Sequence, residues 1–141
     1  MNVLIYAFRE EMEHHDTCLR ELDRVLHSGD AFCVPDVVAS GFIRLVTNPR
    51  VFQQPATVTE AFAFMDALRS NEGHVELPIG QVLWEAFRQF AQLSGGGSII
   101  SDAYLAALVA ASKGTLIITD KDFGKFPGLE WRDPLDAALA D

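Results

Sequence analysis

The chain has 141 residues, of which 49% are hydrophobic, and a formal net charge of −9. That length allows one domain with a full core but not two ordinary ones, and the apolar content argues against a disordered chain. We therefore expect a single domain over residues 1–141. The acidic balance argues against a protein that holds nucleic acid tightly through basic residues, and it suits one that pairs with divalent cations or with a basic partner chain.

No segment of the sequence approaches the ~20 apolar residues that a membrane-spanning helix needs. The opening apolar run, residues 2–8, is too short for a signal peptide and lacks a basic leader and a cleavage site. Cys18 and Cys33 are unclustered and are more typical of buried thiols than of a disulfide. We expect a cytoplasmic protein without a membrane partner.

Short apolar runs alternate with longer amphipathic segments along the whole chain. The apolar runs predict strands at residues 2–7, 31–34, 75–77 and 115–119, with a possible edge strand at 129–131. The amphipathic segments predict helices at residues 10–28, 37–46, 57–68, 83–93 and 101–112. Because the strands are separated by connections too long for hairpins, this order predicts a three-layer α/β/α sandwich around a central parallel sheet of four or five strands.

Three of these helices carry more detailed predictions. The segment Thr57-Val58-Thr59-Glu60 has the capping-box pattern, and a core-facing stripe is predicted to follow it at Phe62, Met65 and Leu68. The stripe predicted for the next helix consists of Leu83, Trp84, Phe87, Phe90 and Leu93. Ser101 is predicted to cap the alanine-rich helix that ends at Ser112.

The most informative stretch is residues 117–123, where a wholly apolar run ends in two carboxylates, Asp120 and Asp122. In open α/β sheets the ligand crevice lies outside the carboxyl ends of the strands. The helix that enters this strand runs back across the sheet, so its first-turn acid, Asp102, is expected at the same rim. Singly, each acid also has a local explanation as a helix-dipole or turn residue. Jointly, they indicate a hard divalent cation and chemistry on phosphate esters.

Other motifs do not support a rival chemistry. Gly95-Gly96-Gly97 lacks the ending of a phosphate-binding P-loop, and the histidines have no zinc-ligand spacing with the cysteines. An aspartyl phosphatase would carry its Asp-x-Asp pair after the first strand, not the penultimate one. Arg44 and Lys121 could contact phosphates, although such residues more often solvate a helix or a turn.

Four segments of the sequence resemble PIN-domain ribonucleases, and most closely the toxin arm of VapBC toxin–antitoxin pairs. They are residues 2–7, 41–50, 101–108 and 119–129, which occur in the family's order and span nearly the whole chain. The resemblance implies a single PIN-like domain, a parallel sheet with helices on both faces, and hydrolysis of RNA phosphodiester bonds with Mg²⁺ or Mn²⁺. It also implies a small antitoxin partner and a homodimer.

The resemblance places the family's site residues on particular positions of this chain. The implied catalytic and metal-binding residues are Asp102, Asp120 and Asp122. The implied supporting hydroxyl is Thr119 and the implied first-strand asparagine is Asn2; with Arg44, these are the expected substrate-binding residues.

Two positions depart from the family's pattern. The first-strand aspartate of the family would fall upstream of Met1, and the slot of a helical glutamate holds Gly41, for which Asp36 is a poor substitute. We expect a true start upstream of Met1, with a degenerate site as the other explanation. The second explanation leads to an alternative function, a catalytically silent PIN-fold protein that binds an antitoxin or RNA.

Overall fold

The chain is described over residues 2–136 in a computed structural model, which divides it into two units, Met1–Glu76 and Leu77–Asp141. The first unit contains helices α1 (Asn2–Phe8), α2 (His15–His27), α3 (Asp36–Val46) and α4 (Val58–Arg69). The second contains helices α5 (Gln81–Ser94) and α6 (Ile100–Ser112), strands β1 (Thr115–Ile117) and β2 (Glu130–Arg132), and 3₁₀ turns at Gly97–Ile99 and Lys121–Lys125. None of the helices described combines the length and apolarity that crossing a bilayer requires. The expected start upstream of Met1 lies outside the described residues.

The prediction of a first strand at residues 2–7 is wrong, because this run forms helix α1. Its buried residues include the consecutive run Val3, Leu4 and Ile5, and the helix packs against α2 and α3. A short apolar run without polar alternation suits a fully buried helix as well as a buried strand, so its periodicity does not separate the two. Phe8, the last residue of α1, packs against the core of the unit, since its ring centroid lies 5.4 Å from that of the fully buried Phe42.

The predicted strands at residues 31–34 and 75–77 are reduced to one isolated parallel bridge between Phe32 and His74. The backbone N–H of Phe32 donates to the Gly73 carbonyl at 2.9 Å, and the N–H of Val75 donates to the Phe32 carbonyl at 2.8 Å. Each run ends at a proline, Pro35 or Pro78, which has no N–H to extend a ladder. Within residues 2–136 the predicted count of four or five strands is therefore not confirmed.

Helix α4 begins at the predicted cap, Thr57. The Thr57 hydroxyl accepts a hydrogen bond from the Glu60 N–H at 3.1 Å and donates to the Glu60 carboxylate at 3.0 Å. The predicted core stripe holds for Met65 and Leu68 but is wrong for Phe62, whose exposed fraction is 49%. The inward position belongs to the fully buried Ala61, which lies four residues before Met65 on the same helix face.

Helices α5 and α6 form a hairpin that is the core of the second unit. Gly95 ends α5 in the left-handed conformation (φ 82°), which glycine adopts without steric cost. The fully buried alanines Ala103, Ala106 and Ala107 allow α6 to approach its neighbours closely. The predicted α5 stripe is wrong at Trp84 and Leu93, which are 54% and 66% exposed, and Ser101 lies within α6 rather than capping it.

Strands β1 and β2 pair in parallel, in the register Thr115 with Glu130 through Ile117 with Arg132. One further bond continues the ladder, from the Ile118 N–H to the Arg132 carbonyl at 3.0 Å. Because the strands are parallel, the segments that follow them leave from the same edge of the ladder. This edge carries the acids that the sequence analysis selected.

Candidate functional site

Asp102 lies in the first turn of α6 and is electrostatically coupled to the acids after β1. Partial burial raises the pKa of its carboxyl group, and the negative charge of Asp120 raises that pKa further. Lys125 opposes this shift, and Asp122 adds to it. The structure therefore brings the three predicted acids into one electrostatic neighbourhood within the second unit.

Asp120 and Asp122 form a tight turn at the end of β1. The Asp122 N–H donates a hydrogen bond to Oδ1 of Asp120 at 2.9 Å, so Asp120 caps the 3₁₀ turn Lys121–Lys125. Asp120 is half-buried and Asp122 is exposed. Thr119, the predicted supporting hydroxyl, is half-buried immediately before this turn. A capped turn of this kind holds two carboxylates in a defined orientation relative to the strand.

Aromatic side chains anchor the acidic turn to the core beneath it. Phe123 and Phe126 are almost fully buried, with ring centroids 5.8 Å apart. The ring of Phe126 also lies 5.2 Å from that of Phe90 on α5. At Gly124 an added Cβ would lie only 3.3 Å from the Trp131 ring, so β2 packs closely under the turn. The apolar residues that follow Asp122 in sequence thus fix where the acids lie.

Lys121, considered above for a phosphate contact, is directed at two other carboxylates. Its Nζ lies 2.7 Å from Oδ2 of Asp136 and 3.3 Å from Oδ2 of Asp133. These hydrogen bonds, first that with Asp136 and then that with Asp133, raise the pKa of Lys121. Neither acid is among the site residues predicted from the sequence; the available signal was their position just after the predicted edge strand.

The donor chemistry of the acidic edge suits a hard divalent cation. Carboxylate oxygens are the ligands that Mg²⁺ and Mn²⁺ prefer, and a cation would offset the burial and the repulsion from Asp120 that raise the pKa of Asp102. As the side chains stand, no three His, Cys, Asp or Glu residues in the described part of the chain are grouped closely enough to hold a metal ion. The residue types therefore match the predicted metal, while a closed ligand set is not formed.

The remaining predicted residues belong to the first unit. Asn2 is the exposed first residue of α1, and Arg44 is exposed in the last turn of α3. Gly41 is buried inside α3 and offers no side-chain oxygen. Asp36 begins α3 and forms an ion pair with Arg69 at 2.6 Å.

A parallel ladder, a small-residue helix leading into it and carboxylates at their shared edge define an α/β protein with an acidic strand edge. The sequence profile described as the PIN domain matches residues 1–129. The chain belongs to the PIN-domain family, and the family assignment made from its motifs is confirmed.

Three curated relatives are similar over nearly their full length. VapC ribonuclease Mb2897 of Mycobacterium bovis and ribonuclease VapC43 of Mycobacterium tuberculosis are each 38% identical, covering 96% of this chain and 93% of their own. Ribonuclease VapC31 of Mycobacterium tuberculosis is 34% identical over 95% of this chain and 96% of its own.

Solved structures with the same fold include two VapBC crystal structures. VapBC2 of Rickettsia felis, bound to a DNA fragment from its promoter, matches with a TM-score of 0.67 and 14% identity, covering 94% of this chain and 93% of that chain. DNA-bound VapBC of Salmonella typhimurium matches with a TM-score of 0.62 and 14% identity, covering 92% and 91%. At this identity the likeness establishes the fold alone.

Proposed function

We propose that this chain is a divalent-metal-dependent endoribonuclease that hydrolyses RNA phosphodiester bonds in the cytoplasm as the toxin of a toxin–antitoxin pair. The observation that carries the proposal is the placement of three acids around β1: Asp102 lies in the first turn of the helix that leads into this strand, and Asp120 and Asp122 lie in the turn that follows it. In agreement with this placement, burial and then the charge of Asp120 raise the pKa of Asp102. The relatives that are named VapC ribonucleases support RNA as the substrate class. The family profile runs through both units, which supports one PIN-like domain over residues 1–141, built as an α/β/α sandwich.

In this mechanism Asp102 and Asp120 would hold Mg²⁺ or Mn²⁺, with Asp122 as a further ligand or a support. A cation bound there supplies a water of lowered pKa and stabilises charge on the attacking and leaving oxygens. Oδ1 of Asp120 accepts the hydrogen bond of the turn, and the carboxylate of Asp120 would still have lone pairs with which to hold the cation. Thr119, Asn2 and Arg44 are the proposed RNA contacts, with the guanidinium of Arg44 placed against a phosphate.

The test is cleavage of RNA by the purified chain in Mg²⁺, in Mn²⁺ and in excess chelator. We expect metal-dependent cleavage that Asp102→Asn lowers on the order of a hundredfold or more, as for other groups that stabilise transition-state charge. Glu130→Gln is the matched control, because Glu130 is an exposed acid at the other end of the ladder. Undiminished cleavage by purified Asp102→Asn would reject the assignment.

We also propose a small antitoxin as partner, since the two solved structures described above are VapBC complexes, together with a homodimer of this chain. In the first unit, a groove of about 320 Å³ between α3 and α4 has apolar side chains from Ile43, Phe62 and Met65 in its lining. Its charged lining consists of Asp36 and Arg69, which form an ion pair at 2.6 Å, and of Asp66. An antitoxin segment that presents an apolar side chain, with a basic one opposite Asp66, would match this lining.

Co-expression with the product of a neighbouring small reading frame tests this partner. Phe62→Ser should release that product from the purified complex, because Phe62 contributes an exposed apolar wall to the groove. Val58→Ser is the control, since Val58 is similarly exposed on α4 but does not line the groove. Equal retention of the partner by both variants would place its binding site elsewhere.

The second candidate function is a catalytically silent PIN-fold protein that binds an antitoxin or RNA. The glycine at position 41, where relatives of the family carry an acid, and the open arrangement of the three aspartates support it. Binding of Mn²⁺ and RNA without any cleavage would favour this function over the nuclease.

A further inference from the structure

Lys121 lies between Asp120 and Asp122 in the sequence, yet its ammonium group pairs with two other carboxylates. The Nζ atom lies 2.7 Å from Oδ2 of Asp136 and 3.3 Å from Oδ2 of Asp133. Both carboxylates belong to the segment that follows β2, while Lys121 belongs to the turn that follows β1. The side chain therefore joins the two segments that leave the same edge of the ladder.

The two acceptors of Lys121 differ in burial. The side chain of Asp133 is only 3% exposed, and its Oδ1 accepts a hydrogen bond from the Leu135 N–H at 2.8 Å. Asp136 is largely exposed, as is Lys121 itself. Asp133 is thus held in place, because one of its oxygens accepts from the Leu135 N–H and the other pairs with Lys121. Asp136 adds a second ion pair to Lys121 at the surface. A charged acceptor held in this way defines where the lysine side chain lies.

The Lys121 bridge lies just beyond the last bond of the ladder. That bond joins the Ile118 N–H to the Arg132 carbonyl at 3.0 Å, and among residues 2–136 no strand pairing holds the turn at Asp120 after it. On the far side of the turn, Phe123 is buried in the core. The backbone that carries Asp120 and Asp122 is therefore fixed at one end by the ladder, at the other by Phe123, and between them by Lys121.

We propose that Lys121 is a positioning residue for the acidic turn and not an RNA contact. By holding the turn against the segment after β2, it keeps Asp120 and Asp122 within electrostatic reach of Asp102. By pairing with Asp133 and Asp136, it also withdraws two further carboxylates from competition for a cation. This inference rests on the proposed function of the three aspartates as metal ligands.

A phosphate-binding lysine and a positioning lysine make opposite predictions at Asp136. If Lys121 binds RNA, the loss of its exposed partner acid makes the ammonium group more available to phosphate. Asp136→Ala would then leave RNA binding intact or improve it. A lysine that positions the turn loses part of its anchor in the same variant. Asp136 is suited to this comparison because it is exposed, so its replacement does not open the core.

The first measurement needs neither metal nor RNA. Amide hydrogen exchange of Asp122 reports the turn directly, because its N–H is bonded to Oδ1 of Asp120. We expect exchange to be faster by about two- to five-fold in Lys121→Met, the range of one partly exposed ion pair, and by less in Asp136→Ala. Lys121→Arg should retain the wild-type rate. Lys113→Met is the matched control, because Lys113 caps the C-terminal end of α6, away from Asp102 in its first turn. It should leave the Asp122 exchange rate unchanged.

The second measurement is Mn²⁺ titration of the metal-free protein, followed by RNA cleavage. Lys121→Met should weaken Mn²⁺ binding by about two- to five-fold and lower kcat, with KM for RNA unchanged. If Lys121→Met raises KM for RNA while its Asp122 exchange rate and its Mn²⁺ affinity equal those of wild type, the proposal is overturned and Lys121 is an RNA contact. Wild-type behaviour of Lys121→Met in every measurement would overturn it as well. If the wild-type chain cleaves no RNA, the proposed function fails, while the Asp122 exchange rates still decide whether Lys121 holds the turn.

Discussion

The side chain of Asp120 accepts a hydrogen bond from the backbone N–H of Asp122, with 2.9 Å between Oδ1 and the nitrogen. One acid of the Asp-x-Asp pair therefore shapes the turn that carries the other. Asp120 has two roles in this arrangement. One of its oxygens accepts the hydrogen bond of the turn, and its negative charge acts on Asp102. Substitution can separate these roles, because asparagine keeps the acceptor oxygen and removes the charge.

Asp120→Asn and Asp120→Ala should both abolish RNA cleavage but differ in stability. The alanine variant loses the cap of the 3₁₀ turn, so its free energy of unfolding should fall about 1 kcal/mol below that of the asparagine variant. Asp120→Asn should be at least as stable as wild type without metal, because its repulsion with Asp102 is gone. Urea denaturation of the three proteins checks this order. Equal destabilisation by both substitutions would show that the oxygen of residue 120 does not hold the turn.

Asp102 should make the metal-free protein less stable as the pH rises. The pKa of Asp102 is raised in the folded chain, first by burial and then by Asp120, so the folded state binds this proton more tightly than the unfolded state does. The stabilising contribution of the protonated carboxyl is complete below its ordinary pKa of about 3.9 and is lost as pH rises through the raised value. Asp102→Asn should therefore melt at a higher temperature than wild type at pH 7, with a gap that closes as the pH falls.

Divalent cation should reverse that order at pH 7. A ligand that binds only the folded protein stabilises it by about 2.7 kcal/mol at a hundred times its dissociation constant. Mn²⁺ should therefore raise the melting temperature of wild type and leave that of Asp102→Asn nearly unchanged. Melting curves with Mn²⁺ and with chelator make the comparison, and an equal rise in both proteins would remove Asp102 from the proposed ligand set.

The acidic edge was predictable because it depends only on the order of one helix, one strand and one turn. An apolar run that ends in Asp120 and Asp122 indicates a strand and the turn after it, and α6 ends just before that strand, so its first turn returns to the same edge. The cap at Thr57 was predictable for a different reason, since both partners lie within one helical turn. A contact between residues this close in sequence is indicated by the sequence itself.

Features that depend on distant partners were not predictable in this way. Residues 2–7 are apolar in either conformation, and only their packing partners decide between helix and strand. The exposure of Phe62 depends on Ala61 taking the inward position, which a stripe spaced by three residues does not reveal. The partners of Lys121 lie 12 and 15 residues away and meet it only because β1 and β2 are parallel.

His74, which the sequence analysis excluded as a zinc ligand, has a structural role that substitution should expose. Its Nε2 accepts a hydrogen bond from the backbone N–H of the buried Val34 at 3.0 Å. His74→Ala leaves that N–H without this acceptor and should lower the free energy of unfolding by about 1–3 kcal/mol. His27→Ala is the control, because His27 is exposed and its Nδ1 bonds to the Asp23 carbonyl within its own helix. Equal unfolding midpoints for the two variants would deny His74 this role.

Thr57 should contribute to stability through both halves of its contact with Glu60. The hydroxyl accepts from the Glu60 N–H at 3.1 Å and donates to the Glu60 carboxylate at 3.0 Å, at the start of α4. Thr57→Ala removes both and should cost about 1 kcal/mol, while Thr57→Ser should keep most of the stability because serine caps equally well. Thr59→Ala, two residues along in the exposed first turn, should be neutral or slightly stabilising, since alanine has the higher helix propensity. Urea midpoints that fall equally for Thr57→Ala and Thr59→Ala would attribute the loss to the helix surface and not to the cap.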